Sequence, residues 1–262
     1  MLNIQDILKK VQNKYIHEIL KVVTKVSEEE DKSAYIVGGF VRDLIMDKEL
    51  NDIDIMVVGD GIDFAKKIAF GIGVKKIVPF EKFGTALIPN ENIQVEIASA
   101  REEKYNSESR KPSKISYTDL HGDLVRRDFT INAMAMHISS ENFGLLTDPY
   151  NGLADIENKI LKTPLDPDET FSEDPLRMMR AAYFASKLGF IIEDKCIDSM
   201  KRQSERIKIV SGERIRDELF KILKTKKPSI GLRILQETGL MKIVFPEIDD
   251  MYGIEQTAEW NH

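Results

Sequence analysis

The sequence predicts an α+β protein: a mixed β-sheet flanked by helices, followed by an all-helical half. Three observations carry this. Short segments with strand-like alternation are confined to residues before about 150. From about 153 onward the apolar residues recur at helical spacing. Proline and glycine punctuate that second half into helix, turn, helix. The 262 residues are enough for two modest domains.

Residues 3–27 place Ile4, Ile7, Leu8, Val11, Tyr15, Ile16, Ile19, Leu20 and Val23 at helical spacing, which predicts an N-terminal helix packed on the head, within residues 1–30. Ala34-Tyr35-Ile36-Val37 reads as a strand ending in the pair Gly38-Gly39, and a helix is expected from about Phe40. Residues 52–59 alternate acidic and apolar side chains and read as a strand turning at Gly59. A helix over 61–72 and strands over 74–80, 84–90 and 92–100 follow, the last two joined by a turn at Pro89-Asn90-Glu91-Asn92. Residues 103–122 are polar with little periodicity and read as a loop, and residues 126–138 as a return to a helix-like pattern. The expected divisions are a head over 31–152 and a helical part over 153–262.

Charged residues make up 31% and hydrophobic residues 42%, ordinary for a soluble globular chain. No apolar stretch is long enough to cross a bilayer, and the mixed N-terminus does not read as a signal peptide. The single cysteine, Cys196, excludes an intrachain disulfide, and together these features predict a cytoplasmic protein. A formal net charge of −6 argues against gripping nucleic acid by bulk electrostatics, so any RNA contact needs clustered basic residues. Candidates are Lys201, Arg202, Arg206 and Lys208, then Lys224, Lys226 and Lys227, although such runs also fit a solvated face. None of the four histidines has a ligand-like spacing to another.

The chemistry is concentrated in Gly38-Gly39, Arg42-Asp43 and Asp52-Ile53-Asp54. Aspartates at i and i+2 of a strand share one face. Side by side they repel, and a divalent cation removes that conflict. Hard oxygen ligands with room left for water and phosphate favour Mg²⁺. The pair alone also fits the solvent face of an edge strand. The neighbouring glycines, which let backbone approach a triphosphate, and a third carboxylate, Glu96, on the alternating face of Gln94-Val95-Glu96-Ile97-Ala98, point instead to two-metal phosphoryl transfer.

Gly-Gly-Phe-Val-Arg-Asp followed by Asp-Ile-Asp resembles the signature of the polymerase-beta-like nucleotidyltransferases. Arg126-Arg127-Asp128-Phe129-Thr130-Ile131-Asn132-Ala133 resembles the second motif of its class II branch, which holds bacterial CCA-adding enzymes and poly(A) polymerases. Glu173-Asp174-Pro175-Leu176-Arg177-Met178-Met179-Arg180-Ala181 resembles that branch's nucleotide-selecting motif, and Ser211-Gly212-Glu213-Arg214-Ile215 through Glu218-Leu219 its helix-capping motif in the neck. The match spans about 34–250 in the family's order. One departure is Tyr183, where many relatives repeat an arginine.

The resemblance implies a nucleotidyltransferase head followed by a helical neck that adds CMP or AMP to the 3′ end of tRNA from CTP and ATP. Asp52, Asp54 and Glu96 would be catalytic, the two aspartates holding metal. Gly38, Gly39, Arg42, Arg127, Asp128, Asn132, Asp174, Arg177 and Arg180 would bind the nucleotide. Arg127 would neutralise the triphosphate, Asp128 bond the ribose with Asn132 in support, and Asp174 and Arg177 read the amine and ring acceptor shared by C and A. Ser211 is expected to cap a neck helix. A poly(A) polymerase is the alternative; Glu81-Lys82-Phe83-Gly84-Thr85-Ala86 looks more like the tRNA-directed enzymes. The resemblance also implies body and tail domains beyond the neck. With the chain stopping at Glu259-Trp260-Asn261-His262, a truncated chain, one that needs a partner chain, or a nucleotide-binding fragment inactive on tRNA is a further expectation.

Overall fold

A computed structural model of the chain describes residues 2–90, 92–106 and 109–254, with the backbone alone for 102–106 and 109–115. Glu91 in the expected turn and the terminal Glu259-Trp260-Asn261-His262 lie outside the described residues. Contacts divide the chain into two units. One is Met1–Lys104, Pro112–Asn158 and Thr163–Leu165; the other is Tyr105–Lys111, Lys159–Lys162 and Asp166–His262.

The expected N-terminal helix is two. Helix α1 (Gln5–Leu8) is separated from α2 (Lys14–Glu29), which starts where the Asn13 side chain accepts from the Tyr15 amide. Strand β1 (Ala34–Val37) leads into α3 (Gly39–Ile45), and β2 (Asp52–Val57) into α4 (Gly61–Gly71). Asp60 caps α4, accepting from the amides of Ile62 and Asp63. Strands β4 (Thr85–Ile88) and β5 (Gln94–Ser99) fall within their expected spans, whereas β3 (Val78–Phe80) is shorter than the 74–80 expected, residues 74–77 being irregular.

Two segments differ from their sequence reading. The polar stretch expected to be a loop is largely a ribbon, β6 (Arg101–Asn106) paired with β7 (Ser109–Tyr117), followed by α5 (Leu120–Val125). The helix-like run after Arg126 is a 3₁₀ turn, Thr130–Asn132, and then a strand, β8 (Ala135–His137), pairing with β1. Strand β9 (Leu146–Thr147) and helix α6 (Gly152–Asn158) complete the unit. Asp148 starts α6 by accepting from the amides of Gly152 and Leu153.

The main sheet runs β3-β4-β5-β2-β1-β8-β9, with β2 and β5 parallel and the other neighbours antiparallel. Its two faces do different work. Ile53, Ile55, Val95, Ile97, Ala86 and Ile88 are buried on one face, where α4 packs, itself in contact with α2. Gly61 is required there: a Cβ would stand 2.7 Å from the Gly84 carbonyl oxygen. The opposite face is covered only in part, by a cluster of Val37, Met56, Ala100, Leu124 and Ala135 with Tyr35, Leu120 and Tyr150.

Beyond its share of the β6–β7 ribbon, the second unit is helical with one two-residue parallel pair, β10 (Ile160–Leu161) with β11 (Ile191–Ile192). Helix α7 (Pro167–Glu173) begins at Asp166, whose side chain accepts from the Asp168 amide. Helix α8 (Leu176–Leu188) stops at Gly189, φ +72°. Then come α9 (Asp194–Gln203), α10 (Gly212–Leu223) and α11 (Pro228–Glu237). The small face of α8, Ala181, Ala182 and Ala185, is fully buried, and α8 contacts both α10 and α11. Gly231 permits the approach of α11, since a Cβ there would lie 3.0 Å from the Ala182 carbonyl. Ser211 occupies the start of α10, but its side chain makes no capping bond; only its carbonyl engages, accepting from the Arg214 and Ile215 amides. Among the described residues no helix is long and apolar enough to cross a membrane.

Candidate active site

Asp52 and Asp54 fall at the first and third positions of β2 and so share the face opposite the helix-covered one. Parallel pairing sets Asp54 directly beside Glu96, and Asp52 beside Gln94. The strand interior is apolar, so Asp54 is half-buried while Asp52 and Glu96 reach solvent. Burial pushes the Asp54 carboxyl up to about 7; Asp52 and Glu96 add to the rise, while Arg127 and Arg42 oppose it. Partial desolvation also raises Glu96, with Arg101 opposing and Asp52 adding. The three carboxylates therefore share one face of the sheet, and Asp54, the most enclosed of them, is held well above its ordinary value.

That donor set fits a divalent cation, which would offset the burial and the repulsion that together raise Asp54. Among the described residues no group of three His, Cys, Asp or Glu side chains forms a ready-made cage for a metal. The protein supplies part of a shell, leaving positions for water and phosphate oxygens, as hard cations in phosphoryl-transfer sites require.

A turn and a polar network frame the carboxylates. Gly38 has φ +68°, and a Cβ on it would stand 2.8 Å from Arg127 Nη1 and 3.4 Å from Asp54 Oδ2. Only glycine holds this bend without strain and leaves that space open. Gly39 is the first residue of α3. Arg42, buried on α3, grips both Asp43 oxygens at 2.8 and 2.7 Å and donates to Asn132 Oδ1 at 2.5 Å. Asn132 donates in turn to Asp128 Oδ1 at 3.0 Å, which also accepts from the Phe129 amide. One chain of bonds thus links Asp43, Arg42, Asn132 and Asp128. Arg127 donates twice to Asp123 Oδ2, at 3.2 and 2.8 Å, and Arg126 binds the other oxygen at 2.5 Å. Burial acts to raise Asp123, but Arg127 and Arg126 outweigh it and hold this carboxyl below its ordinary value.

Asp123 and Asp43 anchor these arginines, and the sequence assigns neither a role. The signal for Asp123 was present: an aspartate three and four residues before two arginines, the spacing of neighbours on a helix.

In the second unit, Asp174 terminates α7 in an extended conformation, with Oδ1 accepting from the Leu176 amide at 3.1 Å and Oδ2 3.6 Å from Arg214. The Arg214 contact ties the start of α10 to the junction of α7 and α8. Arg177 is buried on α8 and binds Glu173 at 2.9 Å and the Thr170 carbonyl at 3.0 Å. Arg180 lies 5.3 Å from the Phe184 ring centre, and Lys187 lies 5.8 Å from that of Tyr183. Of the basic residues suggested for RNA, Arg202 clamps Asp168, Arg206 donates to the Ser172 carbonyl, and Lys208 pairs with Glu205.

Residues 34–162 match the family described as the poly(A) polymerase head domain, and residues 189–252 the one described as the probable RNA and SrmB-binding site of polymerase A. The chain is 34% identical over 233 residues to an A-adding tRNA nucleotidyltransferase of Geobacter sulfurreducens, covering 88% of this chain and 26% of that protein. It is 36% identical over 248 residues to a CCA-adding enzyme of Levilactobacillus brevis, covering 94% and 60% respectively. Among solved structures, that of a CCA-adding enzyme in an apo form superposes with a TM-score of 0.84 at 32% identity, over 94% of this chain and 58% of that one. The chain thus spans from 26% to 60% of the length of these two curated relatives. With the acidic face, the glycine bend and the arginine network all in the head segment, the chain belongs to the family of the tRNA nucleotidyltransferases and poly(A) polymerases.

Proposed function

We propose that this chain carries the catalytic head and neck of an enzyme that adds CMP or AMP, without a template, to the 3′ end of tRNA. The observation that carries the reading is the register of β2 and β5, which sets Asp54 against Glu96 on the face shared with Asp52. The relatives named above as A-adding and CCA-adding support the choice of acceptor.

Asp52 and Asp54 would hold Mg²⁺, which supplies activation of the attacking hydroxyl and charge neutralisation on the triphosphate. In the reaction the primer's 3′ oxygen bonds to the α-phosphorus of CTP or ATP, the bond from that phosphorus to the bridging oxygen breaks, and pyrophosphate departs. Arg127, oriented by Asp123, anchors the triphosphate beside the space left by Gly38. Asp128 serves the ribose, held by Asn132. Arg42 is buried against Asp43 and Asn132, so its part is to position Asn132 and to bias Asp54 toward the ionised form. In the neck, Asp174 and Arg177 read the base edge and Arg180 assists.

Transfer of labelled CMP and AMP to a tRNA lacking its terminal nucleotides, with release of pyrophosphate, is the expected result. Sequencing of the ends formed with CTP, with ATP and with both would define the product. Nucleotide binding without any incorporation would overturn the proposal.

A further inference from the structure

We infer that the RNA 3′ end is seated on an apolar strip of the head's sheet running from Glu96 out to the edge strand β3, which rests on the function proposed above. Register lays out the strip. Asp54 pairs with Glu96 on β5, Glu96 with Leu87 on β4, and Leu87 with Val78 on β3. Directly paired residues point to one face, so the acidic face continues across two further strands. Phe80, two positions past Val78, lies on it as well.

These side chains are open to solvent. Val78 is 44% exposed, Phe80 48% and Phe83, in the turn after β3, 41%. Cations line the same turn. Arg101 donates to the Phe83 carbonyl at 2.7 Å with its guanidinium carbon 5.6 Å from the ring centre, and the Lys82 ammonium lies 5.9 Å from that centre. Arg101 is also within electrostatic reach of Glu96. An apolar and aromatic floor edged by cations and ending at the carboxylates matches a single-stranded nucleic-acid end. Bases stack on such surfaces regardless of identity, and cations meet the phosphates. Indifference to identity suits an acceptor whose last base changes with every addition. Association with a second copy of this chain through the edge fits less well, because Pro79 on β3 has no N–H to offer a new strand.

The test is steady-state transfer by the full chain to a tRNA lacking its terminal nucleotides, comparing wild type, Phe80→Ser, Phe80→Tyr and Lys82→Glu. Phe80→Ser should raise KM for tRNA about tenfold, leave KM for CTP and ATP within about twofold, and be rescued by Phe80→Tyr. Lys82→Glu, exposed on the turn, should shift KM in the same selective way and keeps the test valid should Phe80→Ser melt early. An active wild type whose variants keep KM for tRNA, or raise KM for nucleotide equally, overturns the inference alone. So does a dimer, seen by sedimentation, that the Phe80→Ser change abolishes. A wild type that transfers nothing overturns the proposed function and takes the inference with it.

Discussion

The head and the neck hold their charged residues in opposite conditions. In the head, Asp52, Asp54 and Glu96 share one face of the sheet, and Asp54 is pushed up to about 7. In the neck, the residues assigned to base reading are already engaged inside the protein: Arg177 by Glu173 and Thr170, Asp174 by the Leu176 amide and Arg214. The first arrangement holds a part-buried carboxylate beside two others, a state that the cation of the proposed function would relieve. The second is satisfied as it stands, so a base must either exchange partners with it or use valences left over. Chemistry and selection therefore respond differently to single substitutions.

The largest effect belongs to the acidic face. Asp54→Asn should lower transfer by about a thousandfold or more, as loss of a group central to charge handling in such sites does. The same change should raise the melting temperature of the metal-free chain at pH 8. The sign follows from linkage. Asp54 binds its proton more tightly folded than unfolded, so the metal-free fold loses stability as pH rises from about 4 towards 7, and removing the charge removes the loss. Mg²⁺ should accordingly stabilise the wild type more at pH 8 than at pH 5. A melting temperature of Asp54→Asn equal to wild type at pH 8 would break the contrast drawn here.

Next is Asp123→Asn, which leaves Arg126 and Arg127 without their shared carboxylate. Removing a buried partner costs about 3–5 kcal/mol, discounted here to roughly 2–3 because both arginines keep some contact with solvent. The wild-type contribution is present above the unfolded pKa and disappears as pH falls through the lowered folded value, so the two proteins should converge in acid. Urea unfolding at pH 7 and pH 3 reads this directly. KM for nucleotide should also rise, through Arg127.

Much of the head was legible. The alternation in Asp52-Ile53-Asp54-Ile55 fixed both the strand and the shared face of its carboxylates, because period two has one structural meaning. The segment after Arg126 was misread because Ala133-Met134-Ala135-Met136 is an apolar run with no period of its own. Whether such a run is helix or strand depends on a remote partner, here β1. The ribbon of β6 and β7 escaped because its polar composition gives no alternation to read. In the neck, Asp174 and Arg177 stand three positions apart, but only Arg177 lies inside a helix. The chain leaves the helix at Asp174, φ −135°, so Arg177 reaches Glu173 instead.

The neck then offers a graded pair of tests. Arg177→Ala should lower kcat/KM for CTP and ATP by about 10–100-fold and weaken discrimination against GTP and UTP, since a site that hydrogen-bonds its base loses selectivity with that group. Equal losses for all four nucleotides would mean that Arg177 is only a strut between α7 and α8.

The smallest effect separates support from chemistry. Arg214 meets Asp174 at 3.6 Å with its side chain 41% exposed, a geometry worth at most about 0.5–1 kcal/mol. Arg214→Ala should therefore scarcely move the unfolding midpoint. Its effect on transfer is the sharper reading, because Asp174 would keep the Leu176 amide and lose the Arg214 bridge to the start of α10. If the neck works by holding Asp174 in place, nucleotide KM should rise two- to fivefold with kcat unchanged, and Arg214→Lys should recover part of it. If kcat falls instead, Arg214 acts on the reacting groups, and the neck is no longer the satisfied partner of a strained head.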